Sequence, residues 1–147
     1  MLCYKNGALA REQIRDRFAN GSWTEFNKLV EEAPPGCAGF LGFYFLLPEI
    51  IPPNVKGEFY FTTSSTKADK NPPHPVDDIP PSLHPRAILE SQFLSIRSRI
   101  AAVLPENSPP LQRLVITGGS SANQTIRQLA AVIPFKFFKA SSNLSTF

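Results

Sequence analysis

The sequence is short of cysteine, with only Cys3 and Cys37 among its 147 residues. Two thiols cannot form a disulfide framework, and neither one lies in a CxxC pair or in a Cys/His cluster with metal-ligand spacing. This excludes the small disulfide-stapled secreted domains and the structural zinc domains. Such cysteine use is typical of a reducing compartment, and we expect a cytoplasmic location.

Long apolar runs are also missing. The longest, residues 39–47, is much shorter than the roughly 20 residues that a membrane-spanning helix needs, and Pro48 follows it. The N-terminal residues 1–18 become charged at once and contain no apolar core, so we expect no secretion signal peptide. The sequence therefore predicts no membrane partner.

Charge of one sign is scarce as well. The 15 lysines and arginines are interleaved with 12 acidic residues along the chain, giving a formal net charge of +3. A nucleic-acid-binding protein clusters its basic residues where they can follow phosphates, so no nucleic-acid partner is expected. A hydrophobic content of 42%, with 12 phenylalanines, excludes intrinsic disorder and predicts one packed domain or a large part of one.

Helical and strand patterns alternate along the chain, which predicts an α/β fold. Apolar residues four apart indicate a helix over residues 8–19, and a second helix begins at Ser22, where the S-x-x-E pattern with Glu25 is a capping box. Further helices are predicted over 85–104 and 124–133, and strands over 40–47, 58–62 and 113–117.

A proline-rich segment over residues 63–84 is predicted to be an exposed loop. Its titratable residues have no neighbour in the sequence that would complete a catalytic or metal site. His74 and His84 are therefore expected in turns or on the surface. The pair Asp77 and Asp78 is interpreted as solubilising charge.

Between Leu114 and Leu129 a predicted strand, two glycines, small polar residues and a helix start follow one another. Glycine lets a ligand approach the backbone, and the free N–H groups at a helix N-terminus attract an anion such as a phosphate. The spacing is neither that of a P-loop nor that of the dinucleotide-binding fingerprint. The pattern favours a nucleotide contact, while a plain strand-to-helix turn at Gly118 and Gly119 stays open.

Four blocks of the sequence together resemble one family. They read KNGALAREQIRDRFANGSWTEFN, GCAGFLGFYFLLPEIIPP, AILESQFLSIRSRI and RLVITGGSSANQTIRQLAAVIP. In this order and at these distances they are similar to the C-terminal domain of xylulokinases of the fungal type, within the FGGY family of carbohydrate kinases. The resemblance covers residues 1–133, and residues 134–147 read as a divergent, truncated tail with a strand expected over 135–139.

This resemblance implies a partial ribonuclease H-like, actin-like ATPase lobe, which is the second lobe of a two-lobed sugar kinase. The implied reaction transfers the γ-phosphoryl group of ATP to the 5-hydroxyl of D-xylulose, with Mg²⁺ as cofactor, and yields D-xylulose 5-phosphate and ADP. The catalytic aspartate, the sugar pocket and the phosphate-binding loop belong to other parts of the family. The resemblance therefore places no catalytic residue and no metal ligand in this chain. We expect the chain to need the first lobe for activity and to fold poorly without it.

The resemblance also implies which residues face the nucleotide. The family's T-G-G-x-x-x-N loop corresponds to Thr117, Gly118, Gly119, Ser120 and Asn123, with close backbone contact at Gly119 and Ser120 and a polar contact from Asn123. A family tryptophan near ATP corresponds to Trp23, whose other interpretation is a core anchor of its helix. Two other functions stay open, namely a non-catalytic nucleotide-binding or interaction module and a structural α/β piece without a ligand.

Overall fold

The structure is a computed structural model that describes residues 3–63, 72–105 and 114–136. These residues form helices and strands in the order α1 (Ala8–Phe18), α2 (Trp23–Glu32), β1 (Phe40–Phe45), β2 (Gly57–Thr62), β3 (His74–Val76), α3 (His84–Val103) and α4 (Gln124–Lys136). The chain divides into two compact units, Met1–Gln92 and Phe93–Phe147. The combination of helices with a sheet confirms the predicted α/β class.

Helices α1 and α2 form where the sequence predicts them. Their apolar spacing is reflected in burial, since Ile14 of α1 and both Phe26 and Val30 of α2 lie in the core. The Ser22 hydroxyl accepts a hydrogen bond of 3.3 Å from the backbone N–H of Glu25, which confirms the capping box.

The three strands form an antiparallel sheet in the order β1-β2-β3. Phe43 of β1 lies opposite Phe59 of β2, and Gly42 lies opposite Tyr60. Because side chains alternate between the faces of a strand, Tyr44 and Tyr60 share one face and are buried there. The opposite face carries four of the five phenylalanines of these two strands, namely Phe43, Phe45, Phe59 and Phe61, while Phe40 lies on the tyrosine face.

The predicted loop over residues 63–84 is in fact partly ordered into secondary structure. Strand β3 pairs with β2 inside this segment, and a 3-10 turn, Pro81–Leu83, precedes α3. The Ile79 side chain is buried. A high density of proline usually indicates a loop. An edge strand such as β3 nevertheless tolerates Pro75, because the missing N–H of proline is not needed on the unpaired side of the strand. Residues 64–71 lie outside the described part of the chain.

Helix α3 begins with a buried turn that contains an ion pair. Arg86 Nε donates to Glu90 Oε1 at 2.6 Å, one helical turn further on. The same guanidinium group donates to the carbonyl oxygens of Val30 and Ala33 at the end of α2, each at 2.9 Å. Because the last carbonyl groups of a helix have no partner inside it, Arg86 caps α2 and joins it to α3.

Glu90 also holds the turn that follows α2. Its Oε1 accepts a hydrogen bond of 3.1 Å from the N–H of Gly36. Residues 36–39 all have positive φ, and two of them, Cys37 and Ala38, are not glycine. An L-residue pays roughly 1–2 kcal/mol in this left-handed region, so the turn needs the contacts that hold it. Burial raises the pKa of the Cys37 thiol to about 12, which keeps it protonated at neutral pH.

A buried carboxylate joins the N-terminal segment to the turn after β1. Glu49 accepts hydrogen bonds from the N–H groups of Lys5 (2.8 Å), Asn6 (3.1 Å) and Ile50 (2.7 Å) and from the Asn6 side-chain amide (2.9 Å). Asn6 also exchanges two hydrogen bonds of 2.9 Å with the backbone of Leu47. Burial raises the pKa of Glu49, but the hydrogen bonds to its charged form outweigh burial and hold the pKa below its ordinary value.

Helix α4 extends further than the sequence predicts. It runs through residues 134–136, where a divergent tail and the start of a strand over 135–139 were expected. The buried side chains of Ile126, Leu129 and Ala130 follow the helical period, and the backbone continues it to Lys136. The predicted strand is wrong for residues 135 and 136, and residues 137–147 lie outside the described part.

Candidate functional site

The residues before the two glycines do not form the predicted strand. Residues 114–117 have no regular secondary structure, and the Leu114 and Val115 side chains are exposed, Val115 by 68%. A strand forms only where a neighbouring strand pairs with its backbone N–H and C=O groups. The strand prediction over 113–117 is therefore wrong for the four described residues, because β-branched composition alone supplies no pairing partner.

Gly118 makes the bend from this segment toward α4. Its φ of 83° and ψ of −171° fall in a region that is essentially restricted to glycine. A 3-10 turn, Gly119–Ala122, follows, and the Ser121 N–H and hydroxyl both donate to the carbonyl oxygen of Gly118, at 3.0 and 2.6 Å. The fold itself therefore requires glycine at position 118.

Gly119 differs from Gly118 in that the fold does not require it. Its φ is not positive, and a Cβ atom added there would meet no atom within 4 Å. Glycine at this position leaves one side of the turn bare, so another molecule could approach its backbone closely. Ser120, the next residue of the turn, is partly buried.

Asn123 caps the helix that follows the turn. Its side-chain Oδ1 accepts a hydrogen bond of 3.1 Å from the Ile126 N–H, and its carbonyl oxygen accepts one of 3.1 Å from the Arg127 N–H. The four predicted loop residues from Gly118 to Asn123 thus share one turn at the N-terminus of α4. Backbone N–H groups and the helix dipole favour an anion at such a position.

Trp23 is the first residue of α2, in the compact unit Met1–Gln92. Its ring meets Phe26 edge to face, with ring centroids 5.2 Å apart. The guanidinium carbon of Arg15 lies 4.8 Å from the centre of the Trp23 ring, within cation–π range. These contacts agree with the core-anchor interpretation, yet the side chain is only partly buried.

The sequence analysis missed a buried cluster around His84. This histidine is fully buried at the start of α3, not on the surface or in a turn as expected. The Tyr44 hydroxyl lies 2.8 Å from its Nδ1, and Asp78 Oδ1 lies 3.4 Å from its Nε2. Asp78 also accepts a hydrogen bond of 2.8 Å from the Ile79 N–H, so it does more than add charge. Tyr44 lies 40 residues before His84 in the chain, so no local sequence pattern could predict this contact.

The described residues 3–63, 72–105 and 114–136 contain neither a candidate metal site nor a helix that could cross a membrane. No group of three or more His, Cys, Asp and Glu side chains in these ranges could hold a metal ion. No helix in the same ranges combines the length and the apolar character needed to cross a membrane.

Sequence comparison places the chain in a protein family. Residues 1–133 match the FGGY family of carbohydrate kinases, C-terminal domain. This match covers most of the chain and includes the turn at Gly118 and Gly119 and the capped start of α4. The chain belongs to the FGGY family.

Within this family the chain is similar to xylulose kinases. Xylulose kinase 2 of Arabidopsis thaliana is 42% identical over 139 residues, which cover 90% of this chain and 24% of that protein. A probable D-xylulose kinase A of Arthroderma otae is 36% identical over 159 residues (90% and 27%). The xylulose kinase of Mus musculus is 36% identical over 131 residues (89% and 22%). The chain thus spans about a quarter of the length of these relatives.

Proposed function

We propose that this chain is the nucleotide-side part of a xylulokinase, which transfers the γ-phosphoryl group of ATP to D-xylulose in carbohydrate metabolism. The observation that carries the proposal is similarity to xylulose kinases of a plant, a fungus and a mammal over about 90% of the chain. The proposal includes a cytoplasmic location, and it includes a requirement for the family's first lobe, without which the chain is inactive.

The turn from Gly118 to Asn123 is the proposed nucleotide contact. Three features support it: Gly119 presents bare backbone, the turn stands at the N-terminus of α4, and Asn123 holds the helix start in place. In phosphoryl transfer most of the catalysis is positioning and electrostatic stabilisation, so a rigid turn that holds the nucleotide contributes directly to the rate. Trp23 is proposed to border the ATP site with the part of its ring that is not buried.

The proposal gives this chain no catalytic base and no Mg²⁺ ligand. The described residues offer no cluster of three or more metal-ligating side chains. Mg²⁺ neutralises phosphate charge when it is bound in phosphoryl transfer, and it is usually held by phosphates with one or two carboxylates. The residues of this chain would act by binding and orienting the nucleotide.

Replacing Gly119 by valine is expected to weaken ADP binding at least tenfold without lowering the melting temperature. A Cβ atom at this position would meet no atom of the fold within 4 Å, whereas a ligand at the turn would meet the valine side chain. The measurement is calorimetric titration of ADP into the 147-residue chain and its variant, together with thermal melts. Ala131→Val, at an exposed position of α4, is the control and should bind as the unsubstituted chain does. Equal affinity in Gly119→Val, or no ADP binding by a cooperatively folded chain, would contradict the proposal.

Two substitutions at Asn123 separate its structural role from its proposed contact with the nucleotide. Asn123→Ala removes the cap of α4 and should cost about 1 kcal/mol of stability. Asn123→Ser keeps a capping oxygen but removes the amide group. We expect the serine variant to melt as the unsubstituted chain does while its ADP affinity falls several-fold in calorimetry. Unchanged affinity in both variants would leave Asn123 as a helix cap alone.

A further inference from the structure

His84 is the point at which helix α1, strands β1 and β2 and the start of helix α3 meet. The Phe18 ring from α1 stacks on the imidazole with ring centroids 3.9 Å apart and planes 7° from parallel. The rings of Tyr44 in β1 and Tyr60 in β2 meet the imidazole in T-shaped contacts, with ring centroids 5.8 and 5.5 Å from its own. No part of His84 reaches solvent. We call these four side chains the His84 cluster.

The hydrogen bonds of the His84 ring suit its neutral form. The Tyr44 hydroxyl lies 2.8 Å from Nδ1, and it donates to this nitrogen in the tautomer that carries its proton on Nε2. Nε2 is shielded from solvent and has no hydrogen-bond partner of normal geometry among the described residues. Asp78 Oδ1 stands 3.4 Å away, on a side chain that is 70% exposed. The carboxylate nearest to the ring is therefore largely in solvent and stands beyond the usual hydrogen-bond length from Nε2.

The other charged groups around the cluster are already engaged with one another. Arg17, next to Phe18 on α1, pairs with Glu58 of β2, and the Tyr60 hydroxyl donates to the same carboxylate. Burial lowers the pKa of His84. Arg17 lowers it further, while Asp78, Glu58 and the backbone of Ile79 raise it without overcoming burial.

We propose that the His84 cluster is an acid-sensitive contact, in which a proton taken up by the imidazole ring from solvent loosens the packing of the β1–β2 strands against helix α1 and the start of α3. The added proton would make both ring nitrogens donors, so the Tyr44 oxygen would accept from Nδ1 and the Tyr44 hydroxyl hydrogen would need another acceptor. The positive charge would also be held out of contact with water among three aromatic rings, with the exposed Asp78 carboxylate 3.4 Å from Nε2 as its nearest counter-charge. Opening the cluster lets water reach the ring and relieves both costs.

The direction of the pH dependence follows from the two states. An unfolded chain binds a proton at His84 near the ordinary pKa of about 6.5, and the folded chain binds it only at lower pH. The contribution of the neutral ring to stability is therefore complete above about pH 6.5. It is lost progressively as the pH falls below that value.

The test is an NMR titration of the His84 ring in the 147-residue chain. The sequence has two histidines, so in the His74→Gln variant every histidine signal belongs to His84. In the His84→Gln variant the signals belong to His74, which is exposed in β3 and serves as the reference. We expect the midpoint of His84 to lie below that of His74. Asp78→Asn should move that midpoint lower still, whereas Asp77→Asn, at the exposed neighbouring position, should change it much less. A His84 midpoint at or above that of His74 would overturn the proposal.

Thermal melts at pH 7.5 and pH 5.0 test the loosening itself. The unsubstituted chain and His74→Gln should lose the same several degrees of melting temperature between the two pH values, and His84→Gln should lose clearly less. An equal loss in His84→Gln would overturn the proposal. If His84→Gln does not fold, the replacement measurement is hydrogen exchange of the backbone amides of β1 in the His74→Gln chain, followed as a function of pH. Protection corrected for intrinsic exchange should fall at least tenfold across the His84 midpoint, and constant protection would overturn the proposal.

Discussion

Arg86→Met is expected to lower the free energy of unfolding by about 3–5 kcal/mol, the usual cost of removing one partner of a buried ion pair. The substitution leaves Glu90 charged and buried, and it removes the donor to the carbonyl oxygens of Val30 and Ala33. In a domain of this size the melting temperature should fall by about 10 °C. The measurement is urea denaturation combined with thermal melts.

Arg99→Met is the matched control for this prediction, because Arg99 is exposed on the same helix. It should change the free energy of unfolding by less than about 0.5 kcal/mol. Glu90→Gln keeps the shape of the side chain and an acceptor for the Gly36 N–H, and its effect should be smaller than that of Arg86→Met. A loss below about 1 kcal/mol in Arg86→Met would show that the pair does not join α2 to α3 as described.

Glu49→Ala is expected to cost about 3 kcal/mol, since hydrogen bonds to a charged group are worth more than neutral ones and the orphaned donors lose their acceptor. Four donors from Lys5, Asn6 and Ile50 converge on this carboxylate. Denaturant unfolding at pH 7 measures the loss. Glu32→Ala, at the exposed end of α2, is the control and should be nearly neutral.

The effect of Glu49→Ala should also depend on pH. The hydrogen bonds hold the pKa of Glu49 below its ordinary value of about 4.3, so the folded chain stays deprotonated at a pH where the unfolded chain takes up a proton. The stability that the carboxylate adds is complete above about pH 4.3 and shrinks as the pH falls below it. The difference in free energy of unfolding between the unsubstituted chain and Glu49→Ala should therefore become smaller as the pH falls. A difference that stays constant down to pH 3 would contradict the lowered pKa of Glu49.

Local sequence signals predict the helices and the strands β1 and β2, whereas β3 was expected to be loop. The four-residue apolar spacing from Ala10 to Phe18, the Ser22 capping box and the aromatic run of β1 each involve residues close together in the chain, so the sequence alone shows them. The segment 114–117 has strand composition but no strand, because pairing depends on a neighbour that composition does not supply.

The buried polar contacts could not be predicted in the same way. His84 meets Tyr44 across 40 residues, Arg86 meets Val30 across 56 and Glu49 meets Asn6 across 43. Each partner is unremarkable in its own stretch of sequence, and only the folded chain shows that it is buried. The sequence alone predicted a turn at Gly118 and Gly119. It could not show that Gly118 is needed for its backbone torsions while Gly119 leaves open space, because both properties depend on the folded backbone.

Transplanting the chain into a relative tests the proposed function most directly. In the chimera this chain replaces the 139-residue region of Arabidopsis thaliana xylulose kinase 2 to which it is 42% identical. The measurement is ADP release with and without D-xylulose, after thermal melts have shown that the chimera is folded. We predict D-xylulose-dependent ADP release, with a KM for ATP that rises at least tenfold in Gly119→Val while the KM for D-xylulose stays unchanged. A folded chimera that releases no ADP in response to D-xylulose would contradict the assignment of this chain as the nucleotide-side part of a xylulokinase.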